Sequence, residues 1–186
     1  AAVAPFKGSK SQVIDLNGNE MKRLANIPLG DNIPQGFSSA IQGPRQHGWR
    51  SDVPATVYWT EAQDGGDPKV KADIRDIVYE LKAPFNSTPT VVAKLALRYA
   101  GVTWGNEKFA VVGERWWADR RSRETVFNPS DPSQTKVIFD GSYEDVYKDP
   151  GDLITTQNAQ GKPVMLISAD NSTFLKGAGS SPDGDH

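Results

Sequence analysis

Apolar residues along this chain come in short runs that proline and glycine keep interrupting, and none is long enough for a packed helix. The runs are rich in Val, Ile, Phe, Tyr, Trp and Thr, the residues that suit a pleated, half-buried surface. They predict strands over Gln12 to Leu16, Ala55 to Glu61, Arg75 to Leu81, Val91 to Leu97, Lys108 to Arg115, Arg123 to Phe127, Lys136 to Phe139, Pro163 to Ala169 and Ser172 to Lys176, with a weaker one over Met21 to Ala25. Asn17-Gly18 and Asp170-Asn171 each fall between two such runs, and both pairs tolerate the positive φ of a tight hairpin. Asp64-Gly65-Gly66-Asp67 makes a longer connection of the same kind. One stretch carries two periods: in Pro68 to Leu81, the residues Val70, Ile74, Ile77, Val78 and Leu81 fit helical spacing as well as a strand. Its β-branched end, closing on Tyr79-Glu80-Leu81, favours the strand.

An internal repeat organises these runs. Trp49-Arg50-Ser51-Asp52-Val53-Pro54-Ala55-Thr56-Val57 returns 55 residues later as Trp104-Gly105-Asn106-Glu107-Lys108-Phe109-Ala110-Val111-Val112. Each copy sets Trp before a polar turn with an acidic residue three positions on, and an apolar strand opens with alanine at the sixth. Arg75-Asp76-Ile77-Val78-Tyr79 likewise returns as Arg123-Glu124-Thr125-Val126-Phe127, 48 residues on. A period near 50 with four short strands per unit is what a propeller blade requires. The expected fold is all-β, a partial β-propeller of about two and a half four-stranded antiparallel blades. Its expected parts are an outer hairpin at about 12–25, blades at about 44–95 and about 97–140, and a partial blade at about 141–186. Such a chain cannot close a ring and reads as a fragment of one propeller domain. Ser181-Pro182-Asp183-Gly184 offers a third, weak copy of the turn, with no Trp before it.

Composition narrows the classes. With 21 Lys and Arg against 23 Asp and Glu, the net charge is −2, so no basic field draws in nucleic acid. No apolar window approaches the length of a membrane span, and no membrane partner is expected. Zero cysteines exclude disulfides, iron-sulfur centres and thiolate zinc, and no cofactor is expected. Ala1-Ala2-Val3-Ala4-Pro5 resembles what a signal peptidase leaves behind, which points to a periplasmic or secreted setting.

Several stretches, in order, resemble the non-catalytic domain of the glutamyl endopeptidase branch of the prolyl oligopeptidase family. They are Pro44-Arg45 through Trp49-Arg50-Ser51-Asp52-Val53-Pro54-Ala55-Thr56-Val57-Tyr58-Trp59, Glu61 to Pro68, Arg75 to Tyr79, Trp104-Gly105-Asn106, Glu114-Arg115-Trp116-Trp117, Arg120 to Arg123, Phe139-Asp140, Tyr143 to Tyr147 and Asp149-Pro150-Gly151. The resemblance runs from about Val13 to the C-terminus. It implies a propeller that covers an α/β-hydrolase catalytic domain of the same parent protein and filters peptide substrates for a serine peptidase, with cleavage after acidic residues. A stand-alone propeller that binds peptide or carbohydrate is the rival reading.

No nucleophile elbow is present: Gly36-Phe37-Ser38-Ser39-Ala40 comes nearest and lacks the second glycine. His47, before Gly48-Trp49 on an inner strand, reads as structural or channel-lining rather than as a general base, because a triad is recognised by three roles together. Arg115, Arg120, Arg121 and Arg123, interleaved with Trp116 and Trp117 in a hairpin, are the candidate substrate-binding residues. Their guanidinium forks match a carboxylate, although pairing with Glu107, Glu114 and Asp119 would leave them as a solvated surface. Asp140, Glu144, Asp145, Asp149 and Asp152 form an acidic loop without the spacing of a calcium-binding loop, and no metal is assigned to it. Trp49, Trp59 and Trp104 are expected in packing between blades rather than on a sugar platform.

Overall fold

The computed structural model of the chain describes residues 9–27, 33–177, 179–181 and 183–185. Ala1 to Pro5, Pro182 of the third turn copy and His186 lie outside them. Every regular element among the described residues is a strand, so the chain is all-β. It divides into two compact units, Ala1–Trp49 with Ala55–Ala96 and Arg50–Pro54 with Leu97–His186.

The first unit holds a hairpin, β1 (Ser9–Ile14) with β2 (Glu20–Ile27), and an antiparallel sheet in the order β3 (Arg45–Trp49), β4 (Thr56–Ala62), β5 (Asp76–Lys82), β6 (Thr90–Leu95). Asn17-Gly18 turns as its residues require: Gly18 has φ +85°, and Asp15 Oδ1 accepts the backbone N–H of Asn17 and of Asn19, each at 2.8 Å. The stretch with two periods resolves as strand, since β5 pairs with β4 from Thr56↔Lys82 to Ala62↔Asp76 and residues 68–75 run through turns. Pairing with β4 and β6 on both sides fixes it as a strand, whereas an isolated helix of that length is marginal. Val13 of β1 meets Val57, Trp59, Leu81 and Phe85 in the core, with Trp59 and Tyr79 stacked at 5.9 Å. The diglycine turn is held by Asp64, which accepts Gly66 N–H at 3.0 Å through Oδ1 and Arg75 Nη1 at 2.6 Å through Oδ2. Gly66 has φ +77°, and any Cβ on it would lie 1.9 Å from Ala40 O.

The second unit is built on a sheet in the order β10 (Asp131–Ser142), β9 (Arg121–Asn128), β8 (Phe109–Trp116), β7 (Arg98–Asn106). Among the described residues β10 pairs with β9 alone, at the edge of this sheet. Short pairs follow: β11 (Asp152–Leu153) with β14 (Leu175–Lys176), β12 (Thr155–Gln157) with β13 (Pro163–Met165), and β15 (Ser180–Ser181) with β16 (Gly184–Asp185). Asp170-Asn171 turns here, with Asn171 at φ +64° and the isolated bridge Ile167↔Thr173 beyond it.

The two repeat copies are alike in strand order and differ at the turn. Trp49 pairs across the ladder with Val57 and Trp104 with Ala110, so the second turn is two residues shorter than the first. Asp52 shapes the first turn by receiving Arg50 Nη2 at 2.6 Å. In the second turn Asn106, not Glu107, takes this part: its Oδ1 accepts Lys108 N–H at 2.9 Å and Phe109 N–H at 3.0 Å. Trp104 is buried against Phe127, edge to face at 6.0 Å, whereas Trp49 is 55% exposed beside Phe85. Trp104 and Trp59 are thus buried within their own units, while Trp49 keeps an edge contact with Phe85 and an exposed face.

Candidate functional site

The arginine hairpin is the turn between β8 and β9. Arg120 sits at its corner with φ +57°, donates Nη1 to Trp117 O at 2.5 Å, and lays its guanidinium 4.0 Å from the Trp117 ring centre. Its Nε donates to Glu144 Oε1 at 2.9 Å. On β9, Arg121 and Arg123 project from the same face two positions apart and converge on one carboxylate, Asp140 of β10. Arg121 binds it through two parallel bonds, Nε to Oδ1 at 2.6 Å and Nη2 to Oδ2 at 2.8 Å. Arg123 adds Nε and Nη2 to Oδ2 at 3.0 and 2.8 Å. These bonds, Arg121's first, hold the Asp140 carboxyl at about 2, against an ordinary 3.8.

Among the described residues, Arg115 has no carboxylate hydrogen-bonded to it. It is exposed on β8, its guanidinium 5.5 Å from the Tyr143 ring centre. The structure thus brings the four arginines to one hairpin but gives three of their forks to carboxylates of the same unit. The expected partners differ from those found. Glu114 Oε2 accepts Leu97 N–H at 2.8 Å, and Asp119 Oδ1 accepts Arg121 N–H at 3.2 Å. The forks go to Asp140 and Glu144.

Arg115 also lines two cavities. One, of about 110 Å³, is bounded by Glu124, Tyr143, Asp149 and Asp152; the other, of about 360 Å³, opens over Ala100, Gly101, Gly113, Ser122 and Glu124. Glu124 faces both, and its Oε2 is out of solvent without a hydrogen-bond partner. Burial raises its carboxyl above the ordinary value, the charges of Asp149 and Asp152 raise it further, and Arg115 lowers it. Sequence reasoning passed over Glu124, although it falls within the repeated run Arg123-Glu124-Thr125-Val126-Phe127.

His47 lies half-buried on β3. Its Nε2 has no hydrogen-bond partner among the described residues. Burial lowers its pKa and Glu61 partly restores it. In the acidic loop, Asp140 and Glu144 hold arginines, Asp145 faces Lys148 at 3.5 Å, and Asp149 Oδ1 accepts Gly151 N–H at 2.8 Å. Among the described residues no three acidic or histidine side chains are arranged to hold a metal ion, and no helix is long and apolar enough to cross a membrane.

Two curated proteins resemble the chain over 94% of its length. It is 40% identical over 182 residues to a protein of Oryza sativa subsp. japonica named "Probable glutamyl endopeptidase, chloroplastic", and 37% identical over 183 residues to one of the same name from Arabidopsis thaliana. The chain spans 19% of the length of each. No family model and no solved structure matches it.

Proposed function

We propose that the chain is a non-catalytic propeller segment of a prolyl oligopeptidase-type serine peptidase, one that gates and filters peptides for an α/β-hydrolase domain of the same parent protein and favours cleavage after Glu. The observation that carries this reading is the similarity along 94% of the chain to two proteins named glutamyl endopeptidase. Two four-stranded antiparallel sheets linked by a sequence repeat agree with it, because that is the unit from which propellers are built.

The arginine hairpin supplies the filter. Arg120, Arg121 and Arg123 are held by Glu144 and Asp140 and keep the hairpin in shape, while Arg115 presents an open fork to the carboxylate of a substrate. In the intact peptidase, Arg115→Gln lowers kcat/KM for a Glu-containing peptide about tenfold and leaves that for the matching Gln peptide unchanged, the loss expected of one charge-assisted contact. Equal losses on both peptides remove the selectivity role. The 186-residue chain by itself hydrolyses neither; turnover by it that a serine-directed inhibitor stops would overturn the whole reading.

A further inference from the structure

Counted along the ladders from the pairs Trp49↔Val57 and Trp104↔Ala110, Thr60 of the first sheet matches Gly113 of the second, Ala62 matches Arg115, and Asp76 matches Ser122. Arg45, opposite Thr60, matches Gly101, opposite Gly113. In the first sheet these places hold a buried ion pair, Arg45 Nη2 to Asp76 Oδ2 at 2.5 Å. The second sheet has glycine and serine in the places of that pair and carries its arginine where the first has Ala62. The cavity of about 360 Å³ opens over Gly101, Gly113 and Ser122, with Arg115 in its lining. A Cβ added to Gly101 would meet nothing within 4 Å, and one added to Gly113 nothing nearer than Ala100 Cβ at 3.8 Å.

We propose that this cavity is the socket for a glutamate side chain of the substrate, its carboxylate held by Arg115 and by the hydroxyl of Ser122. This rests on the reading of Arg115 as the filter and adds Ser122 as a second residue that sets specificity. The two stand directly opposite each other on β8 and β9, so their side chains share a face with Cβ atoms about 5 Å apart. An aspartate at 122 would hold the Arg115 fork within the chain, as Asp76 holds Arg45; serine leaves the fork to a carboxylate from outside and offers it one more donor. The cavity lies within the size range of ligand sites, and Val102, Val111 and Leu153 supply apolar wall for the methylenes. Its single acid, Glu124, serves as a donor in its protonated form, through the Oε2 that otherwise lacks a partner. The groups that face it are Arg115 on β8, Tyr143 and Asp149 after β10, and Asp152 on β11. Burial first, then Asp149 and Asp152, raise its pKa against the pull of Arg115, and a ligand carboxylate beside it raises it further, so binding takes up a proton.

The test titrates the 186-residue chain with N-acetyl-glutamate amide, its neutral isostere N-acetyl-glutamine amide, and N-acetyl-glutamine, whose only carboxylate is C-terminal, followed by NMR of Arg115 Nε and the Glu124 carboxyl. The glutamate amide is expected to bind at least about tenfold more tightly than the glutamine amide, the worth of one charge-assisted contact, and equal binding overturns the socket. Tighter binding of N-acetyl-glutamine than of the glutamate amide assigns the site to a peptide C-terminus and overturns the side-chain assignment. Ser122→Ala should weaken binding of the glutamate amide about fivefold, and Ser122→Asp should abolish it by closing the fork from within. Undiminished binding by either folded variant overturns the role of Ser122. The affinity should rise as pH falls from about 8 to about 6 and stay flat in Glu124→Gln, whose amide donates at every pH; equal slopes overturn the part given to Glu124. The filter reading is decided separately, by Arg115→Gln kinetics in the intact peptidase, so either can fail alone.

Discussion

Arg50 lies with its guanidinium 4.4 Å from the ring centre of Trp104, so the residue that follows the first repeat's tryptophan covers the second repeat's tryptophan. The same guanidinium grips Asp52 through Nε at 3.1 Å and Nη2 at 2.6 Å, and both side chains are almost wholly buried. Asn158 Nδ2 closes on Ser51 O at 2.7 Å beside them. The turn 50–54 thus belongs to the second unit through a cation over an aromatic face and an ion pair shielded from water.

Arg50→Ala leaves the Asp52 carboxylate buried without its partner. We expect a loss of about 3 kcal/mol in the stability of the second unit, within the range for breaking a buried pair, read from urea unfolding followed by tryptophan fluorescence. A change below about 0.5 kcal/mol, the size of an ordinary surface substitution, would show that water already reaches the pair.

Gly66→Ala forces a side chain into left-handed backbone and against Ala40 O. The expected cost is at least about 2 kcal/mol, because neither the φ nor the backbone oxygen yields cheaply. Gly18→Ala, also at positive φ but with nothing within 4 Å of the added Cβ, serves as the comparison and should cost about 1 kcal/mol. Equal costs at the two sites would mean that the turn at Gly66 moves away from Ala40.

His47 is a pH-dependent liability in the first unit. Its pKa is lowered in the folded chain, first by burial, so the unfolded chain binds the proton more readily. The sign follows: its contribution is present above the ordinary 6.5 and is lost as pH falls through that value and on to the lower folded one. His47→Gln should flatten the stability profile across that window, and an unchanged slope between the two proteins would contradict the assignment.

Asp140 works in a different window. Its folded value of about 2 against 3.8 means that its stabilising contribution is present above 3.8 and is lost as pH falls from there towards 2. Arg121 is 42% exposed at this pair, so solvent screening limits the loss on Asp140→Asn to about 1 kcal/mol or less. Carboxyl NMR should place the Asp140 midpoint below those of the unpaired aspartates; a midpoint near 3.8 would show that the arginine forks are open in solution.

The strands rich in β-branched residues were legible because their own composition specifies a pleated surface. β3 was missing from those runs, since Arg45-Gln46-His47-Gly48-Trp49 acquires its strand character by pairing with β4, and only the repeat hinted at it. The segments after β10 were read as longer strands than they are: Ser172 to Lys176 shrinks to Leu175–Lys176, and Pro163 to Ala169 to Pro163–Met165. The arginine cluster could be read from its residues, but its partners could not. Asp140 stands opposite Arg123 only because β10 shifts register between Val137 and Phe139. One residue of slip reverses which face a side chain takes, and a bulge leaves no mark that composition reveals.

The open outer edge of β10 bears on how the chain behaves in a tube. Among the described residues no strand covers its outer side, where alternate residues turn their backbone donors and acceptors, with Val137 50% and Ile138 39% exposed. Such an edge is a template for a strand of another molecule, and concentrated solutions of the chain should self-associate there before either sheet unfolds. Lys136 is the charge nearest the apolar pair and the natural gatekeeper, so replacing it with a neutral residue should hasten aggregation while leaving unfolding where it was.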